Sequence, residues 1–293
     1  MYNDCQSLYH RYKIKIIVKN FMEFKDFTLI EAKKTLNNAG IVNPDRVVKL
    51  IKKTLHILDI DLTDLTVLTE AASGPYVVTP IIASLAGAKK VYALTRDSQF
   101  ATIQQVIDQT RALETLCGVK NRIEIMTERH PDLFSQADIV TNLGFVRPID
   151  ESLIQIMKPK CVIPLMFESW EFRSSDLDLE ACHRYGITVA GTNEDYSTVN
   201  VFNYSGFLCM KMLFDSGIEI HKSKILIIGN DKFNPTITQY LKRVCGYIYS
   251  APNLKNIDRN LLTQLDALIV ADFQRETQII GNEGDISPTD LAQ

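Results

Sequence analysis

The chain changes its hydrophobic period repeatedly, from the solid apolar run of a buried strand to the 3.6-residue spacing of a helix. Between Leu65 and Gly191 the strand-like runs are LTVLTEA, KVYALT, RIEIM, ADIVTNLG, CVIPLMF and ITVAG, with helical patterns interposed. Strands that are apolar on both faces need cover on both faces, and strands alternating with helices supply it by forming a parallel sheet. A second series follows, KILIIG, YIY and DALIVA, again with helices between. This predicts an α/β fold of two Rossmann-like units with parallel sheets, the second small or incomplete, preceded by an N-terminal helical segment. The expected divisions are 1–60 for an N-terminal extension and helices and 61–195 for the first unit. A linking helix occupies 196–222 and the short second unit 223–293.

Composition narrows the function classes. Hydrophobic residues make up 46% and charged residues 23%, which excludes a chain too polar to bury a core. Net charge is −3 with acids and bases intermixed, so a basic nucleic-acid face is not expected. The longest apolar runs reach about eight residues, short of the roughly 18 needed to span a bilayer, so no membrane span is expected. The N-terminal MYNDCQSLYHRYKIK carries charge where a signal peptide would be apolar, and Met22 reads as a second candidate start. The six cysteines form no CxxC pair and read as buried thiols of a cytoplasmic protein. The five histidines have no metal-ligand spacing, so no zinc site is expected.

Ligands of an open parallel sheet bind beyond the carboxyl ends of its strands. LTVLTEA, the turn ASGPY, a helix over Tyr76–Ala88 and KVYALT form one βαβ unit. A dinucleotide fingerprint G-x-G-x-x-G would fall at Ala72-Ser73-Gly74-Pro75-Tyr76-Val77, where only the middle glycine remains. That glycine admits close approach of a phosphate, and the helix behind it offers N–H groups to an anion. Ser73, Gly74, Pro75 and Tyr76 are therefore candidate phosphate-binding residues. Arg96 and Asp97 follow the second strand. An acid there suits ribose hydroxyls and an arginine suits a 2′-phosphate, so NAD and NADP both stay open. S-adenosylmethionine binders share this layout and are the alternative. Asn142 and Asn193, at later strand ends, complete the cofactor set. Glu168, Glu171 and Glu194 are the candidate catalytic acids; Trp170 stands between the first two, and a carboxylate desolvated by an indole gains a raised pKa. His183, beside Arg184 in mid-helix, and His130, in a turn before Pro131, are weaker candidates.

The second series departs further from the fingerprint. After KILIIG comes Gly229-Asn230-Asp231-Lys232-Phe233-Asn234-Pro235, without the later glycines and with Asp231 where a pyrophosphate would sit. Dinucleotide binding is not expected there.

The stretch from Ala137 to Gly229 resembles the formate/glycerate dehydrogenase-like superfamily, the D-2-hydroxyacid dehydrogenases above all. The resemblance rests on Asp178-Leu179-Glu180-Ala181 in a helix and Gly186-Ile187-Thr188-Val189 in the following strand. It extends to a long helix over Ser197–Asp215 and the Rossmann strand Lys224–Gly229. It implies an NAD(P)-dependent oxidoreductase. The family's glycine-rich turn is degraded here, no histidine follows His221, and Arg275 and Glu276 are the only charged pair near a matching strand.

The expectation is an NAD(P)-binding, oxidoreductase-like protein acting on a small polar metabolite. The alternatives are a methyltransferase-like protein and a non-catalytic binding or assembly module. Phe202, Leu208, Met212 and Leu213 on the linking helix offer either a homodimer face or an intramolecular seam.

Overall fold

The computed structural model describes residues 27–119, 122–168, 172–194, 196, 201–255, 257–272 and 278–287, the side chains of Phe167 and Glu168 excepted. The chain forms two compact units, 1–192 and 193–293.

The first unit opens with helices α1 (Leu29–Asn38) and α2 (Pro44–Ile57). Thr28 and Glu31 cap α1 reciprocally, and Asn43 with Pro44 starts α2. Strand β1 (Thr66–Glu70) runs into a 3-10 turn, Gly74–Val77, that continues as α3 (Val78–Leu85). The helix expected from Tyr76 thus begins two residues earlier as a tighter turn. Then come β2 (Lys90–Leu94), α4 (Ile103–Cys117), β3 (Ile123–Met126), α5 (Pro131–Gln136) and β4 (Ile139–Val140). The series ends with α6 (Glu151–Ile154), β5 (Val162–Glu168), α7 (Leu179–Tyr185) and β6 (Thr188–Thr192). Helix α5 was not expected; His130 caps it, its Nδ1 accepting the Asp132 N–H at 3.2 Å, which gives this histidine a local structural role.

All six strands are parallel, in the order β3-β2-β1-β4-β5-β6. This is the doubly wound order of dinucleotide-binding sheets. Val67, Val91 and Ala93 face one core with α1, α3 and α4, whereas Leu68, Leu94 and Val140 face a second core with α5, α6 and α7. The strand alternation of period two separates the two cores. Asp138 ties the amino ends together: it accepts the Thr66 N–H at 2.8 Å and the Lys158 ammonium at 2.9 Å. Burial pushes its carboxyl up, but these two donors outweigh that and hold it below its usual value.

The second unit contains α8 (Tyr204–Asp215), β7 (Lys224–Ile228), α9 (Phe233–Leu241), β8 (Tyr247–Ala251), α10 (Arg259–Leu262) and β9 (Ala267–Val270). Its parallel sheet has the order β8-β7-β9. Within the expected linking helix, α8 is preceded by a 3-10 turn at Val201–Asn203, and residues 197–200 lie outside the described set. Cys209 and Leu213 of α8 pack with Ile225, Ile227 and Ile237 in the core of this unit. Phe202 is buried edge-on against Phe233, while Leu208 and Met212 are exposed. No helix among the described residues is long and apolar enough to cross a membrane.

Gly229 follows β7, and glycine is required there because the Ala271 carbonyl, just beyond β9, fills the space a Cβ would need. Its lack of a side chain serves strand packing. Gly229→Ala is expected to destabilise the second unit by about 3 kcal/mol, the upper range for overpacking. Hydrogen exchange of the β7 amides measures this; unchanged protection would show that β9 moves aside freely.

Candidate functional site

The chain reverses its direction of progress beside β1. From there β2 and β3 build outward one way and β4, β5 and β6 the other, so the crevice between the carboxyl ends of β1 and β4 is the switch point. Glu70 is the last residue of β1 and shares a sheet face with Leu68; the register Leu68↔Val140 puts Asn142 beside it on the same face. Adjacent strands are about 4.8 Å apart, so these side chains are lateral neighbours.

Glu70 is 8% exposed, and its Oε2 accepts the Phe145 N–H at 3.0 Å. Burial raises its carboxyl above the ordinary value. The Phe145 and Gly144 N–H groups and the charges of Arg147 and Arg96 pull only part of the way back. Arg147 is also paired with Asp176 at 2.9 Å. Arg96 crosses from the end of β2 to lie 5.2 Å from the Phe145 ring centroid, and it has no ion-pair partner among the described residues. Asn142 is 1% exposed; its Oδ1 accepts the Met166 N–H at 2.8 Å, and its Nδ2 has no hydrogen-bond partner. A buried amide donor without a partner costs about 1–3 kcal/mol, which makes it a natural point of ligand contact. On the opposite face, beyond Val91 and Ala93, the Thr95 hydroxyl is likewise buried without a partner.

The anticipated phosphate turn is partly engaged by the protein itself. Gly74 adopts φ +61°, the left-handed conformation that favours glycine, and its N–H donates to Gln109 Oε1 at 2.8 Å. Ser73 starts the 3-10 turn without a side-chain cap bond, Pro75 lies within the turn, and the Tyr76 ring is exposed. Asp97 Oδ1 accepts the Ile103 N–H at the start of α4, at 2.7 Å. Both residues read as cofactor contacts, Gly74 and Asp97, therefore carry a structural bond as well. Arg96 turns toward Phe145 and Glu70, the direction of the switch point.

Of the predicted catalytic acids, Glu194 belongs to the second unit, and the side chains of Glu168 and Glu171 lie outside the described residues. Glu168 ends β5, with its side chain outside the described set; Glu171, Trp170, Arg275 and Glu276 also lie outside it. Asn193 and Glu194 begin the second unit. His183 is exposed. Glu70, Thr95 and Gln109 were not anticipated as site residues. Glu70 carried a legible signal, an acid closing a buried apolar strand; Gln109 carried none, because only the tertiary packing of α4 brings it to the turn.

Two other features offer less. A cavity of about 440 Å³ between the loops after β4 and β5 is lined by Asp150, Phe172, Ser174, Ser175 and Asp178. Both acids are engaged there as helix caps, Asp150 on Leu153 and Asp178 on Ala181. Burial pushes the thiols of Cys117, Cys161, Cys182 and Cys209 up to about 11, so they are protonated and poor nucleophiles at neutral pH.

In the second unit the corresponding crevice is filled. Asn234 donates to the carbonyls of Gly229 and Ala251 and accepts from Thr238 and Ser250. A fully satisfied side chain occupies the strand ends where a phosphate would approach.

The Glu70 carboxyl has a consequence for stability. An acid whose folded pKa is raised binds its proton more tightly in the folded state. Folding is then most favoured below the unfolded value of 4.5 and loses ground as pH rises through the folded value. Glu70→Gln removes this dependence while keeping an acceptor for Phe145. Urea unfolding from about pH 4 to about pH 8 is expected to show the variant gaining on the native chain as pH rises; a constant difference would contradict the assigned burial.

No protein-family model and no curated protein matches the chain. Among solved structures it is similar to a dipicolinate synthase subunit from Bacillus halodurans, with 13% identity, TM-score 0.43, and coverage of 72% of this chain and 75% of that one. It is also similar to shikimate 5-dehydrogenase from Listeria monocytogenes, solved with shikimate and NAD, with 13% identity, TM-score 0.35, and coverage of 50% and 51%. A third is phosphoglycerate oxidoreductase from Vibrio cholerae, with 14% identity, TM-score 0.30, and coverage of 51% and 58%. Likeness this remote carries no functional argument, and the fold of the first unit is assigned as Rossmann-like on its own strand order.

Proposed function

We propose that the first unit binds a nicotinamide cofactor, NAD or NADP, across its switch point, and that the protein is an oxidoreductase-like enzyme of a small polar metabolite. The observation that carries this reading is the all-parallel order β3-β2-β1-β4-β5-β6, which is the order of the dinucleotide fold strand for strand. The site also fits a polar ligand: the Thr95 hydroxyl and the Asn142 amide are buried donors without partners at the strand ends that such a cofactor straddles. In this reading the turn Ser73–Tyr76 faces the phosphates, Arg96 and Asp97 the ribose, and Asn142 the far half of the cofactor. The chemistry supplied by such a cofactor is hydride transfer. The resemblance of 137–229 to the formate/glycerate dehydrogenase-like superfamily points the same way, and Glu168, Glu171, Asn193 and Glu194 remain the candidate reacting groups.

Two observations favour the alternatives. Glu70 sets a carboxylate beside the path of a pyrophosphate, which disfavours a dianionic dinucleotide and suits a cationic ligand such as S-adenosylmethionine. The bond from Gly74 to Gln109 occupies a donor that a phosphate would use, as expected of a binding module that has lost its cofactor.

Calorimetric titration with NADH, NADPH and S-adenosylmethionine separates the three. The expected result is binding of a nicotinamide nucleotide, weakened about tenfold or more by Gly74→Asp, since a charge within about 4 Å of a phosphate costs upward of 1 kcal/mol. Binding of S-adenosylmethionine alone would transfer the assignment to the methyltransferase-like reading, and silence from all three would leave the non-catalytic module.

A further inference from the structure

We propose that the switch-point crevice of the first unit is a subsite for an α-amino-acid group, its ammonium held by Glu70 and its carboxylate by Arg96 and the Asn142 amide. The inference does not depend on the cofactor reading, because it concerns three side chains of this chain and the shape of charge they present; both readings use Arg96 and Asn142, so an amino acid and a dinucleotide compete for these two residues.

Their convergence rests on contacts around one residue, Phe145, in the loop after β4. Its N–H donates to Glu70 Oε2 at 3.0 Å, and its ring lies under the Arg96 guanidinium at 5.2 Å. Glu70 and Arg96 interact electrostatically across this residue. Asn142 lies three residues earlier on the same strand end and is the lateral neighbour of Glu70 by register. The crevice thus carries a carboxylate, a guanidinium and an amide N–H within the span of two strand spacings, about 10 Å.

What remains unsatisfied defines the ligand. Glu70 accepts from the N–H groups of Phe145 and Gly144, and the two oxygens of a carboxylate together offer about four acceptor positions, so capacity for a further donor remains. Asn142 has its acceptor engaged by Met166 and its donor free and buried. Arg96 has no carboxylate partner in an ion pair among the described residues. A complementary ligand therefore brings a cationic donor and, a few ångströms away, an anionic acceptor. A simple carboxylate or a 2-hydroxy acid meets Arg96 and Asn142 but leaves Glu70 facing a neutral hydroxyl. A simple amine meets Glu70 but leaves Arg96 and Asn142 without a partner. An α-amino acid answers all three, and its zwitterionic form enters without adding net charge to a buried site.

Two sources carry this group, a free amino acid and the aminocarboxypropyl arm of S-adenosylmethionine. The test is calorimetric titration of the full chain with glycine, L-alanine, L-glutamate, L-methionine, L-lysine and S-adenosylmethionine. The controls for a free amino acid are its 2-hydroxy analogue and the amine that lacks its carboxylate; for S-adenosylmethionine the control is 5′-methylthioadenosine, which lacks the arm. The expected result is saturable binding by at least one carrier, with its control weaker by about tenfold or more, the scale of one charge-assisted hydrogen bond. Asn142→Asp keeps the acceptor for Met166 and removes the donor, and Arg96→Ala alters an exposed residue; each is expected to lower affinity about tenfold, and Arg96→Ala is expected to leave binding of the descarboxy amine unchanged. Far-ultraviolet circular dichroism checks that each variant is folded. Equal affinity for the amino acid and its 2-hydroxy analogue, affinity unmoved by Arg96→Ala, or no binding by any carrier would each overturn the proposal. NADPH titrated in parallel reports on the cofactor reading separately, so the failure of one leaves the other standing on its own data.

Discussion

A parallel sheet whose first strand lies in its middle obliges the chain to cross the sheet once, and the architecture of the first unit follows from that crossing. After β3 the chain returns over the sheet to start β4 on the other side of β1. The loops leaving β1 and β4 then diverge to opposite faces, which places the switch point between them. Something must manage the polar groups left there. In this chain the task falls to Glu70, whose carboxylate takes the Phe145 N–H and so anchors the departing β4 loop to the central strand. Asp138 has the corresponding part at the amino end, joining β1, β4 and the Lys158 segment before β5. The two acids differ in environment. Asp138 sits beside a lysine near the surface and its carboxyl is held low, whereas burial dominates at Glu70 and its carboxyl is held high.

That difference bears on function. A structural carboxylate at a strand end is most stable when its charge is compensated, and several kcal/mol of desolvation stand against ionising it in a dry site. Arg96 and Arg147 compensate only in part, and Arg147 is shared with Asp176. Leaving the charge balance of a crevice incomplete has a stability cost, and such costs concentrate where ligands bind. The partnerless Asn142 amide next to it is a second cost of the same kind. A dinucleotide completes the Arg96 side of that balance and a cationic ligand completes the Glu70 side, which is why the two cofactor readings separate at this pair.

The alternation of strands and helices was legible because apolar runs and helical spacing are local properties. Strands β1, β2, β3 and β5 lie where LTVLTEA, KVYALT, RIEIM and CVIPLMF stand, and they are parallel as the interposed helices require. Helix α5 was missed because six residues offer too short a window for a 3.6 period, although His130-Pro131-Asp132 carries a capping signal. The site was less legible than the fold. Arg96, Asp97, Gly74 and Asn142 were found by position alone, as residues just past strand ends. What three of them do depends on partners distant in sequence: Gln109 for Gly74, Phe145 for Arg96 and Met166 for Asn142. No spacing rule reports such contacts.

The two surviving turn glycines make the same point from the opposite direction. Gly74 and Gly229 both follow the first strand of a parallel unit, and the fingerprint gives them one meaning, an approach route for phosphate. Gly74 keeps a left-handed backbone, and a Cβ there would meet its nearest neighbour, the Ala39 carbonyl, only at an ordinary contact distance of 3.5 Å. Its turn stays compatible with a ligand once Gln109 yields its N–H. Gly229 is closed off by the Ala271 carbonyl, and Asn234 completes the seal. One glycine leaves space at a strand end and the other removes it. The open crevice therefore belongs to the first unit, and the second unit resembles it in topology while its strand ends are closed by its own side chains.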